Sequence, residues 1–277
     1  MARTWLITGC STGLGRTLAE AVLARGDKLI ATARDPSSLR HLADQYPDAA
    51  RTTALDVTRE DAAAAAVDLA EQAFGGLDIL VNNAGYGLVA AIEEAVQDEY
   101  RPLFDTNVFG LIETTRAALP SLRKAARGRI VNISSGAGLV GLAGQGFYCA
   151  TKFAVEGLSE ALALEVAPFG IAVIIVEPGP FRTEFLGRSI SLAKLESPLY
   201  AETAGKFRTF RAENDGRQGG DPRKAIAVIL EAVDSEKPPL HLPLGPRAYS
   251  LARNKLAAFA ADMDAWEARA IATDFDG

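Results

Sequence analysis

Cysteine and histidine are nearly missing from this 277-residue chain: Cys10, Cys149, His41 and His241 are the whole supply. Two cysteines cannot build a disulfide framework, and neither a Cys-x-x-Cys nor a His-x-x-x-His spacing occurs, so no metal centre is expected. Neither histidine has a credible serine or cysteine partner, which argues against a hydrolase. Positive charge is also short, with 29 Lys and Arg against 35 Asp and Glu for a net charge of −6, and no basic stripe is present. Nucleic acid is therefore excluded as a partner. The first strand starts at Thr4, leaving no room for a leader, so a cytoplasmic protein is expected. Charge disappears between Arg129 and Lys152, a gap long enough to suggest a membrane span. Its five glycines, with Asn132, Ser134, Ser135 and Gln145, make a poor lipid-facing helix, so no membrane association is expected.

What is there is an ordinary globular composition, 48% hydrophobic and 23% charged, read as one domain over 1–277. Strand and helix patterns alternate from residue 4 to 242. That alternation predicts a doubly wound parallel α/β sheet of the Rossmann type, strand order 3-2-1-4-5-6-7. Thr4–Thr8 is the first strand and a helix follows over Leu14–Ala24. Between them, Gly9, Ser11, Thr12, Gly13, Leu14 and Gly15 form a glycine-rich turn at a helix N-terminus, where backbone N–H groups and the helix dipole receive a pyrophosphate. Lys28–Ala33 is the second strand. Its end carries Ala33 where an acid would bind a ribose hydroxyl, then Arg34, which favours a ribose phosphate and so NADP, with NAD second. Asp35-Pro36 caps the next helix, in which His41 is expected to be solvated.

Thr52–Leu55 is the third strand, followed by Asp56-Val57 and a helix over Arg59–Phe74 capped by Thr58. Asp78–Val81 runs into Asn82, Asn83, Ala84 and Gly85; the two asparagines either tie strands together or line a cofactor crevice. A helix from about Asn107 to Ala126 holds Asn107 and Gly110 inside its pattern, which points to a distortion there. Residues 184–220 lack periodicity but keep Phe185, Leu186, Leu199, Tyr200, Phe207 and Phe210, as expected of a lid over a substrate. Asp221-Pro222 opens a helix to Val233, and Leu240–Leu242 is the last strand. Residues 246–277 form a helical extension whose apolar face packs on the body or on a second subunit.

The stretch Ile130–Lys152 carries the chemistry. A buried strand leads through Ser134-Ser135 to a helix from Phe147, on which Tyr148 and Lys152 stand four apart on one face. An isolated phenol titrates near about 10, and bringing it to neutrality takes about 4 kcal/mol, which a desolvated lysine cation can supply. Chance yields roughly 0.2 such Tyr-x-x-x-Lys pairs in this chain, so the pair alone is weak and its context carries the argument.

In that context the chain resembles the short-chain dehydrogenase/reductase family in its single-domain form. The resemblance rests on Thr8–Gly15 as TGxxxGxG, Asn82–Gly85 as Asn-Asn-Ala-Gly, the mid-helix Asn107, and Ser135 placed 13 residues before Tyr148. It also rests on Tyr148–Lys152 and on Pro178, Gly179 and Thr183 as Pro-Gly-x-x-x-Thr. It implies that Tyr148 exchanges the proton with a substrate oxygen, Lys152 holds the nicotinamide ribose, Ser135 hydrogen-bonds the carbonyl or alcohol, and Asn107 holds a proton-relaying water. It further implies adenine contacts at Asp56 and Val57, a carboxamide contact at Thr183, and a homodimer or homotetramer formed through the helices from Asn107 and Phe147. The expected activity is hydride transfer between NADP(H) and an apolar carbonyl compound or secondary alcohol. A redox-neutral epimerase or dehydratase, or a nucleotide-sensing regulator, are the alternatives. Thr12 departs from the basic residue that many NADP-preferring members carry, leaving Arg34 as the selector.

Overall fold

The computed structural model describes residues 2–59, 61–125 and 127–275. Seven strands form one parallel sheet: β1 (Thr4–Ile7), β2 (Lys28–Ala33), β3 (Ala50–Ala54), β4 (Ile79–Asn82), β5 (Arg129–Ile133), β6 (Ala172–Pro178) and β7 (His241–Leu244). Their spatial order is β3-β2-β1-β4-β5-β6-β7, as the alternating pattern predicts. The central strands β1, β4 and β6 are buried along nearly their whole length because helices cover both faces, while the edge strands β3 and β7 are only partly buried. Successive residues therefore supply two cores: Trp5, Ile7, Leu29, Ala31, Val81 and Val131 on one face, and Leu6, Ile30, Leu80 and Ile130 on the other. The first core packs under α1 (Gly13–Ala24) and α8 (Pro222–Asp234), the second under α3 (Ala62–Phe74), α5 (Gly110–Leu122) and α6 (Gly146–Val166).

Local chemistry sets the helix ends. Asp35 accepts a hydrogen bond from Ser37 N and Asp221 one from Arg223 N, each followed by proline at the first helical position. Gly75, at φ 85°, closes α3 in the left-handed conformation. The helix expected from Arg59 instead starts at Ala62, because Thr58 does not cap it: its hydroxyl and N–H both donate to Asp56 in the preceding turn. Glu60 and the expected helix end at Ala126 lie outside the described residues.

The helix expected from Asn107 begins earlier, as α4 (Gln97–Phe104), and continues through a π turn over Asp105–Phe109 into α5. The distortion that Asn107 and Gly110 foretold is that π turn. A bulkier residue at Gly110 is excluded by Val57, whose Cγ2 would lie 2.5 Å from an added Cβ.

Residues 184–220 are more ordered than their irregular pattern implies. Ile190–Leu192 pairs in parallel with Gly87–Val89, and α7 (Lys206–Asn214) follows a π turn at Ala201–Gly205. The last helix, α9 (Pro246–Ala270), touches the sheet only through its first turns: Ala248 is buried, and every residue from Arg253 onward is exposed. Packing on the body, one of the two expectations for this extension, is absent beyond Ala252.

Candidate active site

Every chemically interesting side chain lies at the carboxyl ends of the strands, where β1 and β4 part company and loops turn in opposite directions. A cavity of about 1050 Å³ opens there. At one end is the turn after β1. Gly9 and Gly13 hold φ of 73° and 61°, a region glycine enters without strain, and an added Cβ at Gly13 would meet nothing closer than Thr183 at 3.8 Å. The backbone is thus bare toward the cavity, and Gly13 N donates to the Glu184 carboxylate at 3.2 Å, so this amide already has an anionic partner. Gly15 has a different reason from the one its motif suggests. It does not line the cavity; its added Cβ would lie 2.3 Å from Asn83 Nδ2. Asn83 in turn donates to Thr8 O and Gly9 O, at 2.8 and 2.9 Å, bracing the turn.

Both asparagines after β4 tie the structure together: Asn82 donates to Thr115 Oγ1 and Asn132 Oδ1, each at 2.9 Å. Asn83 also lines the cavity with Ala84 and Gly85. Ser11, Thr12 and Leu14 line the glycine end. Arg34 is exposed at the rim beside Asp56 and Val57, and Pro178, Gly179 and Thr183 form the wall after β6. Asp56 is held ionised, below the usual carboxylate range, by the Thr58 hydroxyl and N–H, with Arg34 adding its field.

The other end of the cavity holds the hydroxyl, phenol and amine. Ser135 leaves β5 with its oxygen accepting Ala137 N at 3.1 Å and lies within hydrogen-bonding reach of the Tyr148 hydroxyl. Lys152 Nζ donates to Ile133 O at 2.8 Å and stands 5.8 Å from the Tyr148 ring centre. Burial raises the Tyr148 phenol above its ordinary value, only partly offset by Ser135. The Lys152 ammonium, bonded to Ile133 O, does not offset that burial. Burial also lowers Lys152 to about 8, opposed by the Glu156 carboxylate one turn further along α6.

Asn107 lies behind this wall, off the cavity surface. Its carboxamide is fully engaged, accepting Tyr86 N at 3.0 Å and donating to Tyr86 O at 2.8 Å and Thr151 Oγ1 at 3.1 Å. Gly85 sits in the gap between it and Lys152: an added Cβ would come within 3.0 Å of Asn107 Oδ1 and 3.8 Å of Lys152 Nζ. The cysteines are packing residues. Both are buried, and the Cys10 thiol is pushed up to about 12 by burial, so it is no nucleophile.

Several contributors had no motif to announce them. Residues 184–220 supply Phe185, 5.7 Å from Tyr148 between ring centres, with Leu186, Phe207 and Phe210 in the cavity wall. A buried ion pair of Arg208 with Glu94 pins α7 to the body, and Glu94 also accepts Ala91 N at 2.7 Å and Ser197 N at 2.9 Å. Next to Ser135, Ser134 donates to Glu156, which shares a cluster with Glu177 and His241; His241 Nδ1 and Glu177 Oε1 are 2.8 Å apart. Glu156 was visible as a second i+4 step beyond Lys152. Glu177 and His241 join it only because β6 and β7 pair.

A bare glycine turn and a Ser-Tyr-Lys trio facing one crevice of a doubly wound sheet are the arrangement of an oxidoreductase of the dinucleotide-binding class. The chain belongs to the short-chain dehydrogenase family, whose model matches residues 3–191. The oxidoreductase BOA17 of Botryotinia fuckeliana is 35% identical over 274 residues, covering 99% of this chain and 100% of that one. The 3-ketodihydrosphingosine reductase of Bacteroides thetaiotaomicron is 40% identical over 243 residues, 87% of each chain. A crystal structure of a short-chain dehydrogenase from Streptomyces avermitilis matches with a TM-score of 0.93 at 44% identity, covering 99% of this chain and 100% of that one. Among the described residues, no helix is long and apolar enough to cross a membrane.

Proposed function

We propose that this protein reduces a ketone or aldehyde on an apolar substrate with NADPH, Tyr148 delivering the proton. The observation that carries the reading is the convergence of Ser135, Tyr148 and Lys152 on one end of a cavity whose other end is the bare glycine turn. The cofactor fits the residues present: the open Gly13 backbone N–H already donates to a carboxylate, and Arg34, with Ala33 before it in place of an acid, suits a 2′-phosphate. NADPH, when bound, supplies the hydride for the carbonyl carbon.

The chain's own residues do the rest. Ser135 donates to the carbonyl oxygen and orients it toward Tyr148. A phenol raised by burial keeps its proton at neutral pH, the form a reduction consumes. Lys152, still charged below about 8, holds the cofactor ribose and stabilises the phenolate once the proton has gone. Of the cavity-lining residues, Asp56 and Val57 would hold the adenine of the bound cofactor, Asn83, Ala84, Gly85, Pro178 and Gly179 would line the rest of its length, and Thr183 would hold the carboxamide. Lys152 then passes a proton back to the Tyr148 phenolate, and a water held at the Asn107 turn would replace it from bulk. Phe185, Leu186, Phe207 and Phe210 of the lid 184–220 suit an aliphatic or ring-bearing substrate, and the relatedness to a reductase of a long-chain ketone points the same way. Exposed Phe109 and Phe153 suit a homodimer or homotetramer joined through α5 and α6, in the cytoplasm.

A panel of long-chain 3-ketones and apolar aldehydes, with NADPH and then NADH, tests the reading by loss of nicotinamide absorbance. Oxidation of NADPH by at least one apolar carbonyl is expected. Tight NADPH binding with no turnover on any of them would favour the nucleotide sensor, and substrate conversion without net cofactor oxidation would favour an epimerase or dehydratase.

A further inference from the structure

One group of side chains has no part in the reaction proposed above. Glu156 lies on α6 one turn beyond Lys152, Glu177 on β6 and His241 at the start of β7. No local spacing announces them together. The pairing of β6 with β7 sets Ile175 opposite His241, and Glu177 follows two residues further along the same face of the sheet. One ligand atom from each of the three lies within 4.8 Å of the others. Both carboxylates are withdrawn from solvent, Glu177 at 0% and Glu156 at 6% exposure. Glu156 Oε1 accepts the Ser134 hydroxyl. Its Oε2 is buried with no hydrogen-bond partner and stands 3.6 Å from His241 Nδ1.

A carboxylate oxygen left bare in the interior costs free energy, and two carboxylates this close cannot both stay ionised unless a cation stands between them. Lys152 does not fill that place, since its Nζ donates to Ile133 O. Either a shared proton or a metal ion answers the need, and three features suit the ion. Zinc holds nitrogen and oxygen ligands at about 2.0–2.2 Å, which sets neighbouring ligand atoms of a tetrahedral site about 3.3 Å apart. His241 Nδ1 is 2.8 Å from Glu177 Oε1 and 3.6 Å from Glu156 Oε2, each within about 0.5 Å of that separation. The other imidazole nitrogen, Nε2, faces the Glu160 carboxylate at 3.7 Å, the kind of outer partner that orients a ligating histidine. The His241 side chain is 43% exposed, which leaves a way in for the ion and room for a water as fourth ligand. An imidazole among the donors favours zinc over magnesium or calcium, which prefer oxygen alone.

We propose that Glu156 Oε2, a Glu177 carboxylate oxygen and His241 Nδ1 bind one zinc ion, which ties α6 to the paired strands β6 and β7. The site is separate from the cofactor crevice, and its existence does not depend on the redox reading. Its place on the helix that carries Tyr148 and Lys152, with Ser134 on the same glutamate, makes the ion a brace for the segment that bears the reacting groups.

Calorimetric titration of the full-length chain, first stripped with chelator, with zinc chloride tests this. One zinc per chain is expected, with a melting temperature that rises as zinc is added. Cobalt(II) in its place should give the visible absorption bands of a four-coordinate site, a readout on the wild type that needs no variant. Glu156→Gln and His241→Ala should each weaken zinc at least about tenfold, Glu160→Gln about tenfold, and His41→Ala, at the other histidine, not at all. His241→Asn provides a second variant of the exposed ligand should the alanine variant fold poorly. A wild type that takes up no zinc, its carboxylates sharing a proton instead, would overturn the proposal. So would zinc bound equally well by the His241 and Glu156 variants, and magnesium displacing zinc at equal concentration would overturn the choice of ion.

Discussion

The catalytic segment from Arg129 to Lys152 and the last helix from Pro246 to Ala270 are of similar length and opposite circumstance. In the first, nearly every polar atom has a fixed partner: Asn132 bonds Asn82 and Ser159, Ser134 bonds Glu156, and Lys152 bonds Ile133. Strand pairing on both sides of β5 fixes its register, so Ser135 and Lys152 have no freedom to wander. In the second, two turns are anchored and eighteen residues make no contact that would hold them. Precision is concentrated where proton positions matter, and apolar surface is left exposed along the last helix. The contrast also divides energy from chemistry, since the first segment is costly to alter and the second is not.

That division is open to attack in order of effect. Lys152→Ala should cut turnover about 10²- to 10⁴-fold in steady-state assays, because it removes both the ribose contact and the charge that stabilises the phenolate. In the wild type, reduction should decline as pH rises past about 8, where Lys152 loses its proton. A flat profile there would detach the amine from the reaction. In the framework, Leu80→Ala should cost about 2–5 kcal/mol of stability in denaturant titration, since Leu80 is fully buried between paired strands.

An intermediate effect is expected at Glu156. Burial pushes its carboxyl up to about 7, Ser134 opposes this, and Glu177, Glu160 and His241 face it. An unfolded glutamate titrates near about 4.3, so the folded state holds the proton more tightly. Its contribution is fully present below the unfolded value and is lost as pH rises through about 7. In the metal-free chain, Glu156→Gln keeps an acceptor for Ser134 and should flatten melting temperature against pH over that window; an unchanged slope would remove Glu156 as its source. Arg34→Ala should weaken NADPH about tenfold or more and leave NADH nearly untouched in binding titrations. Equal losses would refute the phosphate assignment. Smallest of all, Phe259→Ser should change the stability of the dilute chain by no more than about 0.5 kcal/mol. A larger loss would mean that α9 packs on its own body.

The same contrast explains what the sequence made legible. Sheet order, the glycine turn, the serine and the Tyr148–Lys152 pair were readable because each depends on residues a few positions apart, where helix and strand periods leave one outcome. The reason for Gly15 was not readable: it is excluded from bulk by Asn83, which reaches it from another strand. Nor was the burial that keeps Tyr148 protonated, which comes from Phe185 and Leu142 as well as from its own helix. The lid pattern gave composition without form, because Arg208 and Glu94 meet across 114 residues of chain. Asn107 showed its distortion through an unfavourable residue choice, yet its partners Tyr86 and Thr151 appear only once α5 and α6 are packed.

In the proposed reaction one phenol, Tyr148, passes the proton while the crevice beside it holds the nucleotide. Its most direct test is Tyr148→Phe, measured twice: NADPH binding by fluorescence, and NADPH oxidation with the best apolar carbonyl substrate. The account predicts unchanged binding and turnover reduced about 10³-fold or more. Turnover within a few-fold of wild type would contradict it.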